Sequence, residues 1–401
     1  MSRLVIVPAG GVAKVGQGYA TYATHGDFLH ELADCVGGVT LYASVFGPEH
    51  PEYAYFSQRL LDPARCVVVP LPGHSREAGG WQLLASYATH LATFLREVAG
   101  WRAAIVYSPS VTASLAALAI RLRAPRCRVV TSVWGDWSVL SRHLVQVGLT
   151  RRVLNLFQAR FILRQERWLV ARSVGTMVDG AVLRERYERI GRRVVETIPM
   201  MNLVELSGAA VEQPRDPVRV LYVGRLAPGK GLEVLIASLA ALRQTRPALT
   251  LRVVGGGDRA YVASLEAEVR ARRLEDAVSF AGVVPNGPAL WEEYRGAAVF
   301  VLPSLSEGFP RVVYEAMATA TPMVATDVGS VARVIRAGID GLIVPPDNEP
   351  RLRAALESLL DDPDRAAALG RCARAAFDAR FPPGRISSSA QQVVALLDGD
   401  S

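Results

Sequence analysis

The stretch Arg219-Val-Leu-Tyr-Val-Gly-Arg-Leu-Ala-Pro-Gly-Lys-Gly231 begins as a short apolar run and ends in a turn that contains three glycines. The apolar spacing of the residues that follow, Leu232–Arg243, predicts a helix. A buried strand, a glycine turn and a helix in this order form the repeating element of a doubly wound parallel sheet. This stretch therefore predicts an α/β fold.

The same alternation extends along the chain and predicts two domains. A chain of 401 residues is long for one hydrophobic core. The segment Ser207–Pro217 is small, polar and carries two prolines, which is typical of a crossing between domains. We expect two Rossmann-like doubly wound domains, 1–205 and 206–380, that face each other across a cleft. A last helix within 381–401 is expected to pack back toward the first domain.

Periodicity assigns the individual elements. The predicted strands are Leu4–Val7, Val39–Ala43, Val67–Pro70, Ala104–Tyr107, Val129–Val133, Val174–Val178, Val194–Ile198, Arg219–Val223, Leu249–Val254, Val278–Ala281, Val299–Leu302, Met323–Thr326 and Leu342–Val344. The predicted helices are Tyr19–Leu32, Trp81–Val98, Thr112–Leu122, Leu232–Arg243, Ala260–Ala271, Pro288–Arg295, Val312–Ala318, Val331–Ala337, Arg351–Leu360, Arg365–Ala379 and Ser387–Leu397.

The turn Gly224–Gly231 fits the phosphate-loop pattern G-x-x-x-x-G-K, but glycine stands where that pattern needs a Mg²⁺-binding Ser or Thr. This disfavours an ATPase. Arg225 and Lys230 could instead neutralise a diphosphate directly, each with about 4 kcal/mol of gross Coulomb energy at 4 Å and an effective dielectric near 20. The alternative is a surface turn with two solvated cations.

Two glutamates lie in the run Pro303–Ala318. Glu307 follows a predicted strand and precedes Gly308, which would let a ligand approach the backbone closely. Glu315 lies early on the next predicted helix, where its carboxylate could accept hydrogen bonds from vicinal hydroxyls of a ribose or hexose. The alternative for Glu315 is a charge that stabilises the first helical turn.

Other glycines and one aspartate also follow predicted strands. Gly255-Gly-Gly257-Asp258 is interpreted as structural, a tight turn with Asp258 as helix cap. Gly11 and Gly16 could let a phosphate or an acceptor approach the first domain. Asp136, in Trp134-Gly-Asp-Trp137, could orient or deprotonate an acceptor hydroxyl.

The net charge of +7 is concentrated in one region. Residues 142–193 hold twelve arginines and four acidic residues. Such an excess could meet phosphates or an anionic membrane face, or form a solvated helical surface.

Other patterns point to a cytoplasmic protein without a metal. No run of eighteen apolar residues occurs, and we expect neither a signal peptide nor a spanning helix. The four cysteines show no metal spacing and are expected to be free thiols. The six histidines form no metal-binding pattern, and Asp398-Gly-Asp400 is interpreted as a C-terminal tail. No cofactor or metal is expected, and a cytoplasmic location follows, with peripheral inner-membrane contact through 142–193 as a further option.

From about Val218 to Asp347 the chain resembles the family 4 retaining glycosyltransferases, which have the GT-B fold. The motifs that carry the resemblance are Gly224-Arg225…Lys230-Gly231, Phe280-Ala-Gly282, Pro303-Ser304, Glu307-x₇-Glu315, Thr326-Asp-Val-Gly329 and Gly338-Ile-Asp-Gly341-Leu-Ile-Val-Pro. The first domain resembles the family only in architecture.

The resemblance implies roles for these residues. Arg225 and Lys230 would bind the donor pyrophosphate, Glu315 the ribose, and Glu307 the donor sugar at the reaction centre, with the nucleobase near Val283–Pro285. The predicted donor-binding residues are Gly11, Gly16, Gly224, Arg225, Lys230, Val284, Glu307, Gly308, Phe309, Pro310 and Glu315. The predicted catalytic residues are Arg225, Lys230, Glu307 and Asp136.

This chain departs from the family pattern at two places. Members often carry a histidine after the strand where this chain has Trp134-Gly135-Asp136, and the usual glycine at position 320 is Ala320. The first departure leaves open how the chain contacts the sugar or activates the acceptor.

The resemblance implies a retaining, metal-independent glycosyltransferase. It would move a hexose or N-acetylhexosamine from a nucleotide diphosphate, UDP as the first choice, to a hydroxyl of a soluble metabolite or a lipid-linked saccharide. Such a reaction belongs to glycan or glycosylated natural-product biosynthesis. The alternatives are a sugar-nucleotide epimerase, a non-catalytic nucleotide-sugar-binding protein and a P-loop NTPase.

Overall fold

The computed structural model describes residues 3–8, 10–50, 53–73, 80–134, 149–197, 214–307, 310–381 and 389–399. The chain divides into two compact units. The N-terminal unit comprises Met1–Met200 and Ser387–Ser401, and the C-terminal unit comprises Met201–Ile386. The sequence had placed these divisions after residues 205 and 380.

The N-terminal unit is built on a mainly parallel sheet. Its strands are β1 (Leu4–Val7), β2 (Val12–Val15), β3 (Gly18–Thr21), β4 (Val39–Phe46), β5 (Arg59–Leu60), β6 (Cys66–Leu71), β7 (Ala103–Ser108), β8 (Arg128–Val133), β9 (Gly175–Asp179) and β10 (Val194–Thr197). Their order is β10-β9-β8-β7-β1-β4-β2-β3-β5, and β6 also pairs with β4. Among the strands that the structure describes in this unit, only the β2–β3 and β3–β5 pairs are antiparallel.

Helices cover both faces of this sheet. They are α1 (Ala23–Val36), α2 (Tyr53–Phe56), α3 (Gly80–Glu97), α4 (Val111–Arg123), α5 (Leu149–Arg172) and α6 (Gly180–Tyr187), and the C-terminal helix α14 (Ser389–Asp398) joins them. On one face, Leu29 of α1 and Val393 of α14 pack against Ile6 and Leu41. On the other, α3, α4 and α5 cover Val5 and Val7 and their neighbours. Because both faces are covered, β1 is fully buried, as parallel strands generally are.

The C-terminal unit holds a second parallel sheet. Its strands are β11 (Asp216–Val223), β12 (Thr250–Val254), β13 (Val278–Gly282), β14 (Ala297–Leu302), β15 (Met323–Thr326) and β16 (Leu342–Val344), in the order β13-β12-β11-β14-β15-β16. Its helices are α7 (Leu232–Leu242), α8 (Arg259–Ala271), α9 (Pro288–Arg295), α10 (Arg311–Ala318), α11 (Val331–Val334), α12 (Glu349–Leu360) and α13 (Pro363–Arg380). The prediction of an α/β fold with two Rossmann-like units is confirmed.

Two predicted helices have wrong bounds. Helix α1 spans Ala23–Val36 instead of Tyr19–Leu32, and its start is later because Gly18–Thr21 forms strand β3, which pairs with β2 and β5. Helix α11 ends at Val334 instead of Ala337. There the chain turns through Gly338 at φ 76°, and Ala337 forms a bridge with Gly341. No helix among the described residues is both long and apolar enough to cross a membrane.

Helix α10 ends in a Schellman motif that contains an alanine in the left-handed region. The amide of Thr321 donates to the Ala316 carbonyl at 2.8 Å, the amide of Ala320 donates to the Met317 carbonyl at 3.0 Å, and Ala320 has φ 51°. A side chain in this conformation costs roughly 1–2 kcal/mol, which glycine avoids. The departure from the family glycine therefore leaves strain at this turn.

Replacing Ala320 with glycine is expected to raise the free energy of unfolding by about 0.5–1 kcal/mol, since relief of strain exceeds the entropy that glycine adds to the unfolded chain. The midpoint of thermal unfolding should rise by about 1–4 °C. The matched control is Ala318→Gly at the last residue of α10, where helical geometry makes glycine destabilising by about 1 kcal/mol. Equal losses in both variants would contradict the explanation.

Candidate functional site

The C-terminal unit has one point at which its strand order reverses. From β11 the chain continues to β12 and β13 on one side, then returns to place β14 on the other side of β11. In open parallel sheets, ligands bind beyond the carboxyl ends of the strands at such a point. The loops that leave β11 and β14 there are 224–231 and 303–310, the two segments that the sequence selects.

Lys230 and Glu307 meet at this edge. The Lys230 ammonium lies 2.7 Å from Glu307 Oε1, although the residues are 77 positions apart. The side chains are 26% and 10% exposed, so the pair is partly shielded from water but remains open on the lysine side. A cation in this setting keeps more of its Coulomb energy than one on an open surface.

The carboxylate of Glu307 is held from a second direction. The hydroxyl of the buried Ser304 donates to the same Oε1 at 2.6 Å. The backbone of Ser304 is fixed in turn, because the hydroxyl of Thr326 on β15 donates to its carbonyl at 2.6 Å. Gly329 has φ 58°, and a Cβ there would lie 2.0 Å from the Glu307 carbonyl oxygen. The loop after β14 is therefore braced by the loop after β15.

The geometry of Gly231 explains why this turn lacks the hydroxyl of a phosphate loop. Gly231 has φ 69°, and a Cβ there would lie 2.0 Å from the Pro303 carbonyl oxygen. The amide of Leu305 also donates to the Gly229 carbonyl at 2.8 Å. Because the two loops approach so closely, a Ser or Thr at 231 would clash with backbone. The site has no room for a Mg²⁺-binding hydroxyl at this position.

The glycine triplet 255–257 supports the loop after β11. The amide of Gly224 donates a hydrogen bond to the Val254 carbonyl oxygen, and the amide of Leu226 donates to the Gly256 carbonyl oxygen. A Cβ at Gly255 would lie 1.9 Å from the Gly224 carbonyl oxygen. Asp258 accepts hydrogen bonds from the amides of residues 260 and 261, so its predicted role as a helix cap is confirmed.

Tyr222 is a site residue that sequence reasoning missed. This fully buried tyrosine donates from its hydroxyl to the Arg225 carbonyl at 3.0 Å and so fixes the start of the loop. Burial, followed by the nearby charge of Glu307, raises the pKa of Tyr222. The hydroxyl therefore stays protonated and acts as a donor. The Arg225 side chain itself is exposed.

Glu315 is buried on α10 and accepts a hydrogen bond from the Tyr294 hydroxyl at 2.8 Å. Burial raises the pKa of Glu315 above its ordinary value of 4.5, and the nearby charge of Arg311 opposes that rise. Tyr294, also missed from the sequence, is fully buried, and the same carboxylate raises its pKa further. A carboxylate held in this way is ordered before any ligand arrives.

Glu315 should make the stability of the chain depend on pH. Because its folded pKa is raised, the native state holds the proton that the unfolded chain releases above pH 4.5. The free energy of unfolding should therefore fall as pH rises from 4.5 through the folded pKa, and then level off. Glu315→Gln should flatten this part of a denaturant-midpoint profile. Glu268→Gln, which removes an exposed partner of Arg272, should keep the wild-type profile. Identical profiles for wild type and Glu315→Gln would refute this assignment.

The other predicted site residues of the C-terminal unit lie along the same edge or outside the described residues. Pro310 is buried and immediately precedes α10. Val284 is half-buried in the loop after β13, which is separated from β11 by β12. Gly308 and Phe309, and Asp136 of the N-terminal unit, lie outside the described residues.

The local structure of the N-terminal unit explains why positions 11 and 16 are glycine. A Cβ at Gly11 would lie 2.4 Å from the Phe46 ring and 2.5 Å from the Ser44 carbonyl oxygen. Gly16 has φ 57° and stands in the turn of the β2–β3 hairpin, where Val15 pairs with Gly18. Their approach to a ligand remains a prediction.

The described part of the arginine-rich region includes a basic stripe on α5. Arg160, Arg164, Arg167 and Arg172 are all exposed there. In the described part of the chain, no group of three or more His, Cys, Asp or Glu side chains could hold a metal ion.

Comparison with solved structures identifies the class of this fold. Glycosyltransferases with the GT-B fold match this chain over almost its whole length. Sucrose-phosphate synthase from Thermosynechococcus elongatus matches with a TM-score of 0.69 and 23% identity, over 99% of this chain and 98% of that one. Anabaena HepE in complex with UDP-glucose matches with a TM-score of 0.66 and 18% identity, over 98% and 99% of the two chains.

Sequence comparison gives a family match. Residues 208–376 match the model described as glycosyl transferases group 1. A glycogen synthase of Mycobacterium tuberculosis is 32% identical over 232 residues, which cover 57% of this chain and 55% of that protein. The chain thus spans about half the length of the curated relatives it matches.

Proposed function

We propose that this protein is a retaining glycosyltransferase that moves a hexose or N-acetylhexosamine from a nucleotide diphosphate sugar to an acceptor hydroxyl. The observation that carries the proposal is the Lys230–Glu307 pair, with a 2.7 Å separation at the strand-order reversal of the C-terminal unit. In such a transfer the cation would stabilise the departing diphosphate, and the carboxylate on the adjoining loop would hold the sugar.

The lysine and Arg225 would act on the leaving group. As the glycosidic bond to the diphosphate breaks, negative charge grows on the phosphate oxygen, and a cation aimed there binds the transition state more tightly than the ground state. Glu307 would hold the sugar and face the anomeric carbon, and Glu315 would bind the ribose. In a retaining reaction the acceptor attacks on the face from which the diphosphate leaves.

UDP is the nucleotide we propose first. HepE, which shares the fold, has been crystallised with UDP-glucose, and the family relatives include a glycogen synthase. Similarity of fold alone does not identify the substrate. The choice of UDP therefore depends on the family match over residues 208–376 and on the contact between Lys230 and Glu307.

We expect a metal-independent reaction, because basic side chains are available to neutralise the charge of the diphosphate. Two basic residues stand in the loop where phosphate-loop proteins place a Mg²⁺-binding hydroxyl, and Gly231 leaves no room for that group. Transfer should therefore proceed at an unchanged rate in EDTA. A strict requirement for Mn²⁺ or Mg²⁺ would contradict this mechanism.

The acceptor is proposed to be a soluble metabolite or a lipid-linked saccharide, and the arginine stripe of α5 favours the second. Exposed arginines attract anionic headgroups, and salt screens that attraction. Flotation with vesicles that contain anionic lipid should show binding at low salt and release at high salt. Absence of the protein from the vesicle fraction at low salt would remove this support.

One experiment separates the proposed function from its alternatives. The protein is incubated with UDP-, GDP-, ADP- and dTDP-sugars, and the unfolding temperature and the products are recorded. A transferase is stabilised by its donor and forms a glycoside with a hydroxyl acceptor. An epimerase would convert the donor without an acceptor, and a binding protein would be stabilised without any product.

A further inference from the structure

His25 lies at the strand-order reversal of the N-terminal unit. From β1 the chain continues to β4 and β6 on one side, then places β7 and β8 on the other. His25 stands in the first turn of α1, and its ring lies 6.0 Å from that of Tyr107 near the end of β7 and 6.1 Å from that of Trp134 just after β8. The imidazole is therefore at the carboxyl edge where ligands of parallel sheets bind.

One nitrogen of this imidazole has no hydrogen-bond partner in the described part of the chain. His25 is 3% exposed, its Nδ1 lies 3.3 Å from the Thr21 hydroxyl, and its Nε2 is buried without a hydrogen bond among the residues that the structure describes. Buried polar atoms are nearly always paired, because an unpaired one loses its hydration without compensation. The orphaned nitrogen needs an explanation.

A second buried histidine of the same unit shows the ordinary structural arrangement. His90 is fully buried, and both its nitrogens have partners: Nδ1 lies 3.1 Å from the Thr112 hydroxyl, and Nε2 lies 3.0 Å from the Pro72 carbonyl oxygen. His25 differs in having one ring nitrogen satisfied and one not. A purely structural histidine at position 25 would gain stability from an apolar replacement.

The surroundings of His25 suit a neutral sugar. The ring of Tyr22 stacks on the imidazole at 5.1 Å, and Tyr107 and Trp134 present their rings at nearly right angles to it. Burial lowers the pKa of His25 to about 4, so the imidazole is neutral at neutral pH and offers either a donor or an acceptor at Nε2. A ring hydroxyl can both donate and accept, so it matches either tautomer.

We propose that Nε2 of His25 hydrogen-bonds a hydroxyl group of a sugar ring during transfer. The proposal rests on the proposed function, and it assigns His25 as a substrate-contacting residue. The hydroxyl belongs to the donor sugar or to an acceptor saccharide. His25 would thereby bring an imidazole next to Trp134, at the strand end where the histidine common in the family is replaced.

The test compares two histidine-to-phenylalanine variants. His25→Phe should lower kcat/KM by about 10- to 100-fold, the loss of one well-formed hydrogen bond in a buried site, and should lower the unfolding temperature less than His90→Phe, because only the Thr21 hydroxyl loses a partner. His90→Phe should show the reverse, because Thr112 and Pro72 lose their partner: a larger fall in the unfolding temperature with kcat/KM unchanged in the folded protein. The double variant Thr21→Val/His25→Phe removes both polar partners and keeps the comparison valid if His25→Phe folds poorly.

Two measurements show whether the hydroxyl belongs to the donor sugar or to the acceptor. If it belongs to the donor, His25→Phe should abolish the difference in affinity between UDP-sugar and UDP. If it belongs to the acceptor, donor affinity stays unchanged and kcat/KM for the acceptor falls. Wild-type values for both substrates in His25→Phe and in the double variant would overturn this inference alone. An inactive wild type that binds no sugar nucleotide would instead overturn the proposed function.

Discussion

Replacing Lys230 with alanine is expected to lower the rate of glycosyl transfer by about 10²- to 10³-fold, the usual effect of removing one preorganised group that stabilises transition-state charge. The ammonium lies 2.7 Å from Glu307 and is the half of the pair that is more open to solvent. Without it the departing diphosphate would lose a cation, and the largely buried Glu307 would lose its counter-charge. The measurement is initial-rate kinetics with saturating donor.

The chain provides a matched control, because Lys14 is its only other lysine. Lys14 is exposed on β2 of the N-terminal unit, so Lys14→Ala removes the same chemical group outside the loops 224–231 and 303–310. Its transfer rate should equal that of the wild type. Equal rates for Lys230→Ala and wild type would remove the lysine from the mechanism.

Glu307→Gln should separate the two roles of the ion pair. The neutral side chain retains the shape of glutamate but no longer presents a charge beside the proposed reaction centre, so transfer should fall by about 10²-fold or more. The same change frees Lys230 from its carboxylate partner, so UDP should bind as tightly as in the wild type or up to about 10-fold more tightly. Kinetics and titration of UDP measure the two effects separately.

The control for this change is Glu268→Gln, which alters an exposed ion pair with Arg272 on α8. Neither rate nor UDP affinity should change. A Glu307→Gln protein with both reduced UDP affinity and a reduced unfolding temperature would indicate a structural role for Glu307. A double-mutant cycle with Lys230→Ala then gives the coupling between the two side chains.

The sequence predicted the buried parallel strands well and the edge elements poorly. Strands Leu4–Val7 and Met323–Thr326 have the predicted bounds, because a strand covered on both faces is a short apolar run between turn residues. The β2–β3 hairpin was missed. Its antiparallel pairing with β5, near residue 60, is non-local, so the periodicity of residues 12–21 does not show it.

For the candidate site, the sequence signal that identified residues correctly was their position at the end of a predicted strand. Lys230 and Glu307 were selected because each follows a buried strand, and the adjacency of β11 and β14 brings them into contact. Tyr222 and Tyr294 gave no such signal, since a tyrosine within an apolar strand or helix is indistinguishable from core. Their roles come from hydroxyl partners, Arg225 and Glu315, that only the folded chain brings near.

The histidine of the N-terminal unit illustrates the same limit. The sequence directed attention to residues 134–136, where the family histidine is replaced, and His25 lies more than a hundred positions earlier. Ring contacts across the sheet edge place His25 beside Trp134. A pattern confined to neighbouring positions cannot reveal a side chain supplied by another element.

The central claim is that Lys230 binds the second phosphate of a nucleotide diphosphate. Titration of UDP and UMP into wild type, Lys230→Ala and Lys14→Ala by calorimetry tests it most directly. Wild type and Lys14→Ala should bind UDP more tightly than UMP, and Lys230→Ala should lose most of that difference while its UMP affinity stays the same. An undiminished preference for UDP in Lys230→Ala would contradict the account.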